Sequence, residues 1–229
     1  MSCSSVFPNK INIEAFDTAI FDMDGTMMDS LGIWERIDYD FLEKKRGIKV
    51  PHDYVHDIAA MSFSEIANYT KNRFNLPDTP EELMQEWTDM AIYEYSHNVP
   101  LKPFVKEYIE YLKKQGKKIV LCTSSPEYFF EPALKNNGIY DLFDAFTSTC
   151  EAGVGKGSPK VYLLAAQKAL TAPEKCIVFE DVISAAMSAK AAGMRVCGVY
   201  DMRSESRQEE LRAVCDMYIK SFKELLEDI

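Results

Sequence analysis

The sequence predicts an α/β fold: a doubly wound parallel sheet with an inserted all-helical domain. Three observations point there. Short, continuously apolar runs alternate with helical patterns, as strands buried on both faces do. Each run ends in polar or turn residues before the next helix begins. Residues 31–98, between the first run and the second, carry helical spacing and no strand candidate.

Four runs read as strands: Thr18 to Phe21, Lys118 to Cys122 ("KIVLC"), Cys176 to Phe179 ("CIVF") and Arg195 to Val199 ("RVCGV"). Pro103 to Gln115 reads as a helix with apolar Phe104, Val105, Ile109 and Leu112, stopped by Gly116. Ser158-Pro159 reads as an N-cap with proline in the first turn, opening "KVYLLAAQKAL". Within the insert, Leu31, Trp34, Ile37, Phe41 and Leu42 share a helical spacing, "SFSEIANYTKNRF" is a second helix, and "TPEELMQEWTDMAIYEY" a third. The third has Thr79 as cap, Pro80 in the first turn and Glu82 closing a capping box. The expected domains are an α/β core over 1–30 and 99–229, and a helical domain over 31–98.

Composition excludes several classes. A net charge of -10 argues against nonspecific binding to nucleic acid or anionic membranes. No run of 18 apolar residues appears, and "MSCSSVFPNKINIEAF" does not read as a signal peptide, so the expected location is cytoplasmic. Cys3, Cys122, Cys150, Cys176, Cys197 and Cys215 are scattered and form no CxxC pair, so buried thiols are expected rather than disulfides or zinc ligands. Without a heptad or repeat pattern, a monomer is the expectation.

The chemistry collects at strand ends, where doubly wound sheets place their ligands. "AIFDMDGTMMDS" ends the first strand in Asp22 and Asp24, with Gly25 and Thr26 next. "KIVLC" ends in Thr123-Ser124-Ser125, "CIVF" ends in Glu180-Asp181, and "GVGKGSP" carries Lys156. Taken singly, each has a bland reading: a turn, a helix cap, an acidic helix start or a surface charge. Together they would crowd carboxylates that need a cation or a retained proton. Oxygen ligands of this kind suit magnesium. Asp22 could then act as a nucleophile on phosphorus and Asp24 as general acid and base. Thr123 and Lys156 could hold phosphoryl oxygens.

These motifs resemble those of the haloacid dehalogenase-like hydrolase superfamily. "FDMDGT" looks like its first motif, DxDGT. "LCTSS" resembles the second, and Lys156 matches the third-motif lysine. "VFEDVISAAMSAKAAGM" is similar to the fourth, with its Glu-Asp pair and Ala-rich helix. The order fits across almost the whole chain, and the helical insert resembles the family's cap domain. Two positions depart from the usual KPxPD: Gly157 stands for a proline and Lys160 for the acid.

The resemblance implies Asp22 as nucleophile, Asp24 as acid/base, and phosphate held by Thr123, Ser124, Ser125 and Lys156. It implies Mg2+ on Asp22, the Asp24 backbone carbonyl and Asp181, with Glu180 nearby. The expected function is a magnesium-dependent phosphatase acting on a small phosphomonoester, a sugar phosphate or nucleotide-like molecule, through an aspartyl-phosphate. The alternative is a phosphosugar mutase of the β-phosphoglucomutase type. Such mutases resemble a pattern with a His about ten residues after the second Asp and an Arg further along the cap, where this chain has Trp34 and Phe63. A phosphonoacetaldehyde hydrolase would need a cap lysine, and none stands out. A non-catalytic protein would be favoured by a missing catalytic residue, and none is missing. His52, His56 and His97 lack a third ligand of suitable spacing and read as surface residues. Trp34, Phe41, Met61, Phe63, Trp87 and Met90 read mainly as core of the insert, a few facing substrate.

Overall fold

A computed structural model of the chain describes residues 11–30, 32–58, 61, 63–202 and 207–227. Cys3, Leu31 and the side chain of His56 lie outside the described residues. The chain divides into two compact units, Met1–Ser30 with Val99–Ile229, and Leu31–Asn98.

The larger unit is a six-stranded parallel sheet. Its strands are β1 (Thr18–Phe21), β2 (Lys118–Thr123), β3 (Ala145–Ser148), β4 (Cys176–Glu180), β5 (Arg195–Val199) and β6 (Met217–Ile219), in the order β3-β2-β1-β4-β5-β6. The order is that of a doubly wound sheet, which reverses direction of growth between β1 and β4. β3 and β6 were not foreseen. Both are short edge strands, only partly buried, so they lack the fully buried apolar run that marks the central strands.

The smaller unit comprises α1 (Ile33–Tyr39), continued by a π turn over Asp40–Lys44, then α2 (Tyr54–Ile58), α3 (Phe63–Phe74) and α4 (Pro80–His97). The sheet unit adds α5 (Val105–Lys114), α6 (Glu127–Asn136), α7 (Thr149–Ala152), α8 (Pro159–Lys168), α9 (Ile183–Ala191) and α10 (Gln208–Val214).

Period-two alternation along the strands loads both sheet faces. Ile20, Val120, Val178 and Val196 point to one core, where Val161, Ala165, Ala185, Ala189 and Leu211 of α8, α9 and α10 cover them. Phe21 and Phe179 point to the other, stacked at 4.5 Å, with Tyr108 of α5 edge-on to Phe179 at 5.7 Å. α5 begins at Val105 rather than Pro103, because Phe104 takes a left-handed φ of 67° and sits 39% exposed.

In the helical unit, Thr79 and Glu82 form the expected capping box on α4. Phe41 and Trp87 meet edge to face at 5.2 Å, and Arg46 lies over Phe41 while pairing with Glu86 at 2.8 Å. Phe41 and Trp87 are core, whereas Trp34 and Phe63 stand 42% and 38% exposed. The thiols divide as well. Cys122, Cys176, Cys197 and Cys215 are buried, whereas Cys150 is exposed at the start of α7. His52 and His97 are exposed. Among the described residues, no helix is long and apolar enough to cross a membrane.

Candidate active site

The site is built where the strand order reverses. β1 and β4 are neighbours in register, Phe21 opposite Phe179, and the Asp22 amide donates to the Phe179 carbonyl at 3.0 Å. The next residues, Asp22 on one strand and Glu180-Asp181 on the other, are therefore forced together at the carboxyl edge. One oxygen from each of Asp22, Glu180 and Asp181 lies within 4.8 Å of the others, and all three residues are buried.

Lys156 answers part of that charge. Its Nζ lies 2.6 Å from Asp22 Oδ1 and 2.5 Å from Glu180 Oε2, with its side chain only 10% exposed. The loop that delivers it ends at Ser158, whose hydroxyl accepts from the Lys160 amide and caps α8. Glu180 is held from three sides: by Lys156, by the Tyr162 hydroxyl donating at 3.1 Å, and by the Val182 amide at 3.1 Å. Burial alone would lower the Lys156 ammonium, but the Asp22 and Glu180 carboxylates outweigh it and hold it above the usual lysine value.

One ammonium does not balance three carboxylates. Burial first, and then repulsion from Glu180, push Asp22 up to about 6 despite Lys156. Burial, Asp22 and Glu180 push Asp181 up to about 8. An oxygen-only, buried, under-compensated cluster has the chemistry of a hard divalent cation site. The residues present thus fit a divalent metal.

Asp24 occupies different ground. Its carboxylate accepts from the Ser30 hydroxyl and from the Ser125 hydroxyl, each at 2.6 Å. The turn that re-aims it is tight: the Met27 and Met28 amides both donate to the Met23 carbonyl, and Gly25 has φ +81°. A Cβ on Gly25 would stand 2.5 Å from Asp181 Oδ2, so the turn backbone packs directly on that carboxylate. Thr26 Oγ1 donates to the other oxygen of Asp181 at 2.7 Å. The turn is also held from outside. Lys102 Nζ donates to the Gly25 carbonyl and to the Tyr200 carbonyl, and pairs with Asp201 at 2.8 Å.

The other candidates are spread along the end of β2. Thr123 is buried and its hydroxyl accepts from the Ser125 amide at 3.0 Å. Ser125 links through its own hydroxyl to Asp24. Ser124 is exposed, and its carbonyl accepts from Thr149. Sequence reading did not single out Thr26, Ser30, Lys102 or Tyr162 as site residues. Thr26 and Ser30 flank the paired acids, a visible signal. Lys102 and Tyr162 reach the site only through tertiary folding and carry no local mark.

A model of the haloacid dehalogenase-like hydrolases matches residues 16–193, well over half of the chain. The chain belongs to this hydrolase family. Hexitol phosphatase B of Escherichia coli K12 is 28% identical over 210 residues, spanning 90% of this chain and 93% of that one. A phosphorylated carbohydrates phosphatase of Thermotoga maritima is 27% identical over 184 residues, spanning 80% and 85%. A crystal structure from Thermotoga maritima, described as a candidate β-phosphoglucomutase, superposes with a TM-score of 0.82 at 24% identity, over 93% of this chain and all of that one, a likeness of fold. As a haloacid dehalogenase-like hydrolase, the chain is an enzyme whose curated relatives named here are phosphatases.

Proposed function

We propose that this hydrolase is a magnesium-dependent phosphatase that cleaves a small phosphomonoester, of the phosphorylated-sugar class, through an aspartyl-phosphate on Asp22. The observation that carries the reading is the Lys156 ammonium 2.6 Å from Asp22 within a buried acidic cluster. This arrangement keeps one Asp22 oxygen charged and fixed while placing a cation beside the incoming phosphate. The names of the hexitol and carbohydrate phosphatases support the substrate class. The reading carries with it a cytoplasmic monomer that acts without nucleic acid or membrane.

In the proposed reaction, Asp22 attacks phosphorus, forming an acyl-phosphate bond as the ester P–O bond breaks. Asp24 gives its proton to the leaving alkoxide. Water then attacks the phosphorus, losing a proton to Asp24, and phosphate leaves with Asp22 restored. Lys156, Thr123, Ser124 and Ser125 hold the phosphoryl oxygens as charge shifts onto them. Glu180 aims Lys156, and the Ser30 and Ser125 hydroxyls aim Asp24. A magnesium ion held by Asp22, the Asp24 carbonyl and Asp181, with Glu180 beside them, would offset the phosphate's negative charge.

The test is phosphate release from a panel of hexose phosphates, hexitol phosphates and nucleoside monophosphates, with and without Mg2+. β-Glucose 1-phosphate belongs in the panel, with glucose 6-phosphate monitored. Magnesium-dependent release, strongest for the sugar-derived esters, is expected. Conversion to glucose 6-phosphate without release would replace the phosphatase by a mutase, and no turnover on any ester would overturn the reading.

A further inference from the structure

Tyr162 is fully buried on α8, in the apolar core it shares with Ile20, Val120, Val161 and Val178. A phenol hydroxyl in such surroundings is costly unless it finds a partner. That of Tyr162 donates to Glu180 Oε2 at 3.1 Å, the same oxygen that lies 2.5 Å from Lys156 Nζ. The other oxygen, Oε1, accepts from the Val182 amide at 3.1 Å. Two donors on one oxygen and one on the other fix the rotation of the carboxylate as well as its place.

Ring packing alone does not account for the hydroxyl. Tyr108 is 2% exposed on α5 and packs against Phe179, and its hydroxyl has no hydrogen-bond partner among the described residues. The fold therefore accepts a buried tyrosine for its ring, whereas the Tyr162 hydroxyl is aimed at a charged group of the site.

Lys156 depends on this support. It stands between Gly155 and Gly157, where an added Cβ would meet nothing within 4 Å, so the backbone beside it faces open space at those points. Its ammonium is placed by two carboxylates, Asp22 and Glu180. The reaction proposed above removes one of them. As Asp22 attacks, its Oδ–P bond forms, the ester P–O bond breaks, and the negative charge leaves with the alkoxide, which Asp24 protonates. Asp22 is then an uncharged acyl group and a weaker partner for an ammonium. Glu180 remains, and Tyr162 holds Glu180.

We propose that Tyr162 is a positioning residue for the second half-reaction: its hydroxyl fixes Glu180, which keeps Lys156 on the phosphoryl group while water cleaves the aspartyl-phosphate. The inference rests on the phosphatase reading and assigns this hydroxyl to one of its two chemical steps.

The experiment labels the full-length enzyme with a 32P sugar phosphate in Mg2+, chases with unlabelled substrate and quenches in acid at intervals, so that loss of protein-bound label gives the hydrolysis rate. Tyr162→Phe keeps the ring and should slow this loss about tenfold, with kcat/KM, set by the first half-reaction, within about twofold of the native value. Tyr108→Phe should leave the loss of label unchanged. A purely structural hydroxyl would lower the melting temperature without slowing this step selectively. Label that leaves Tyr162→Phe as fast as the native enzyme, or equal losses in kcat/KM and hydrolysis rate, would overturn the inference. In Glu180→Gln the charge that the hydroxyl serves is gone, so adding Tyr162→Phe should slow hydrolysis no further. A further tenfold loss there would also overturn it, and this comparison stands even where Tyr162→Phe alone does not fold. Native enzyme that turns over without ever carrying label would overturn the phosphatase reading and this inference with it, an outcome distinct from label whose decay Tyr162→Phe leaves unchanged.

Discussion

Lys156 Nζ sits between Asp22 Oδ1 at 2.6 Å and Glu180 Oε2 at 2.5 Å, so one ammonium joins the proposed nucleophile to a fully buried acid on the neighbouring strand. The pairing is local in space and remote in sequence, and three elements must fold before it exists. Replacing Lys156 removes a cation from the phosphate side and leaves two carboxylates facing each other. Lys156→Met is expected to lower kcat/KM by about 10²–10³ and to cost about 3–5 kcal/mol of stability, the usual range for breaking a buried pair. Steady-state kinetics and thermal melting check both. A variant with unchanged kcat/KM would remove Lys156 from the proposed chemistry.

Gly25→Ala tests how closely the turn packs on Asp181. The left-handed φ alone costs a residue with a Cβ about 1–2 kcal/mol, and here the new carbon would stand 2.5 Å from Asp181 Oδ2. Gly47→Ala is the control. It has φ +66° and open space where the Cβ would go, so it meets the conformational cost only. Gly25→Ala should melt lower than Gly47→Ala and lose most activity, while Gly47→Ala keeps it. Equal behaviour of the two in melting and kinetics would contradict the close packing.

The acidic cluster makes a statement about pH. Asp22 and Asp181 are raised to about 6 and about 8, above their unfolded value of 3.8. The folded state therefore keeps protons that the unfolded state has released. Stability should fall as pH rises from about 4 to about 8 in metal-free protein. Asp38, raised to about 7, adds in the same direction. A divalent cation would compensate the ionised cluster, so Mg2+ should raise the melting temperature more at pH 8 than at pH 5, by a few degrees. Melting curves with chelator and with Mg2+ across this range check it. Asp181→Asn should flatten the metal-dependent part of the profile.

Lys102 is proposed as a positioning residue. It clamps the Gly25 carbonyl to the Tyr200 carbonyl and to Asp201, so it fixes the turn that aims Asp24. Lys102→Met should lower kcat about tenfold or more with little change in KM, because misplacement of a reacting group acts on the barrier. Lys102→Arg should restore part of that loss. A lower melting temperature with unchanged kcat would reduce Lys102 to a prop.

Much of this was legible in the sequence because the chemistry sits at strand ends. β1, β4 and β5 are buried on both faces, so "TAIF", "CIVF" and "RVCGV" are unbroken apolar runs, and the residues after them announce the sheet edge. β3 and β6 were illegible because edge strands of a few residues need no such run. The capping box at Thr79 and the Ser158 cap could be read because capping is a local interaction. The exposure of Trp34 and Phe63 could not, because a helical stripe of aromatics looks the same in sequence whether its outer edge is covered or open. Lys102 and Tyr162 were missed for a third reason. A lone lysine and a tyrosine on an apolar helix gain their meaning from residues 77 and 18 positions away in the chain.

The central claim is that Asp22 carries the phosphoryl group. The most direct measurement is an acid quench during turnover of a 32P-labelled sugar phosphate, followed by peptide mapping, with Asp22→Asn alongside. The account predicts label on the peptide containing Asp22 in the native enzyme, and neither label nor turnover in a folded Asp22→Asn. Full phosphate release by Asp22→Asn would contradict it.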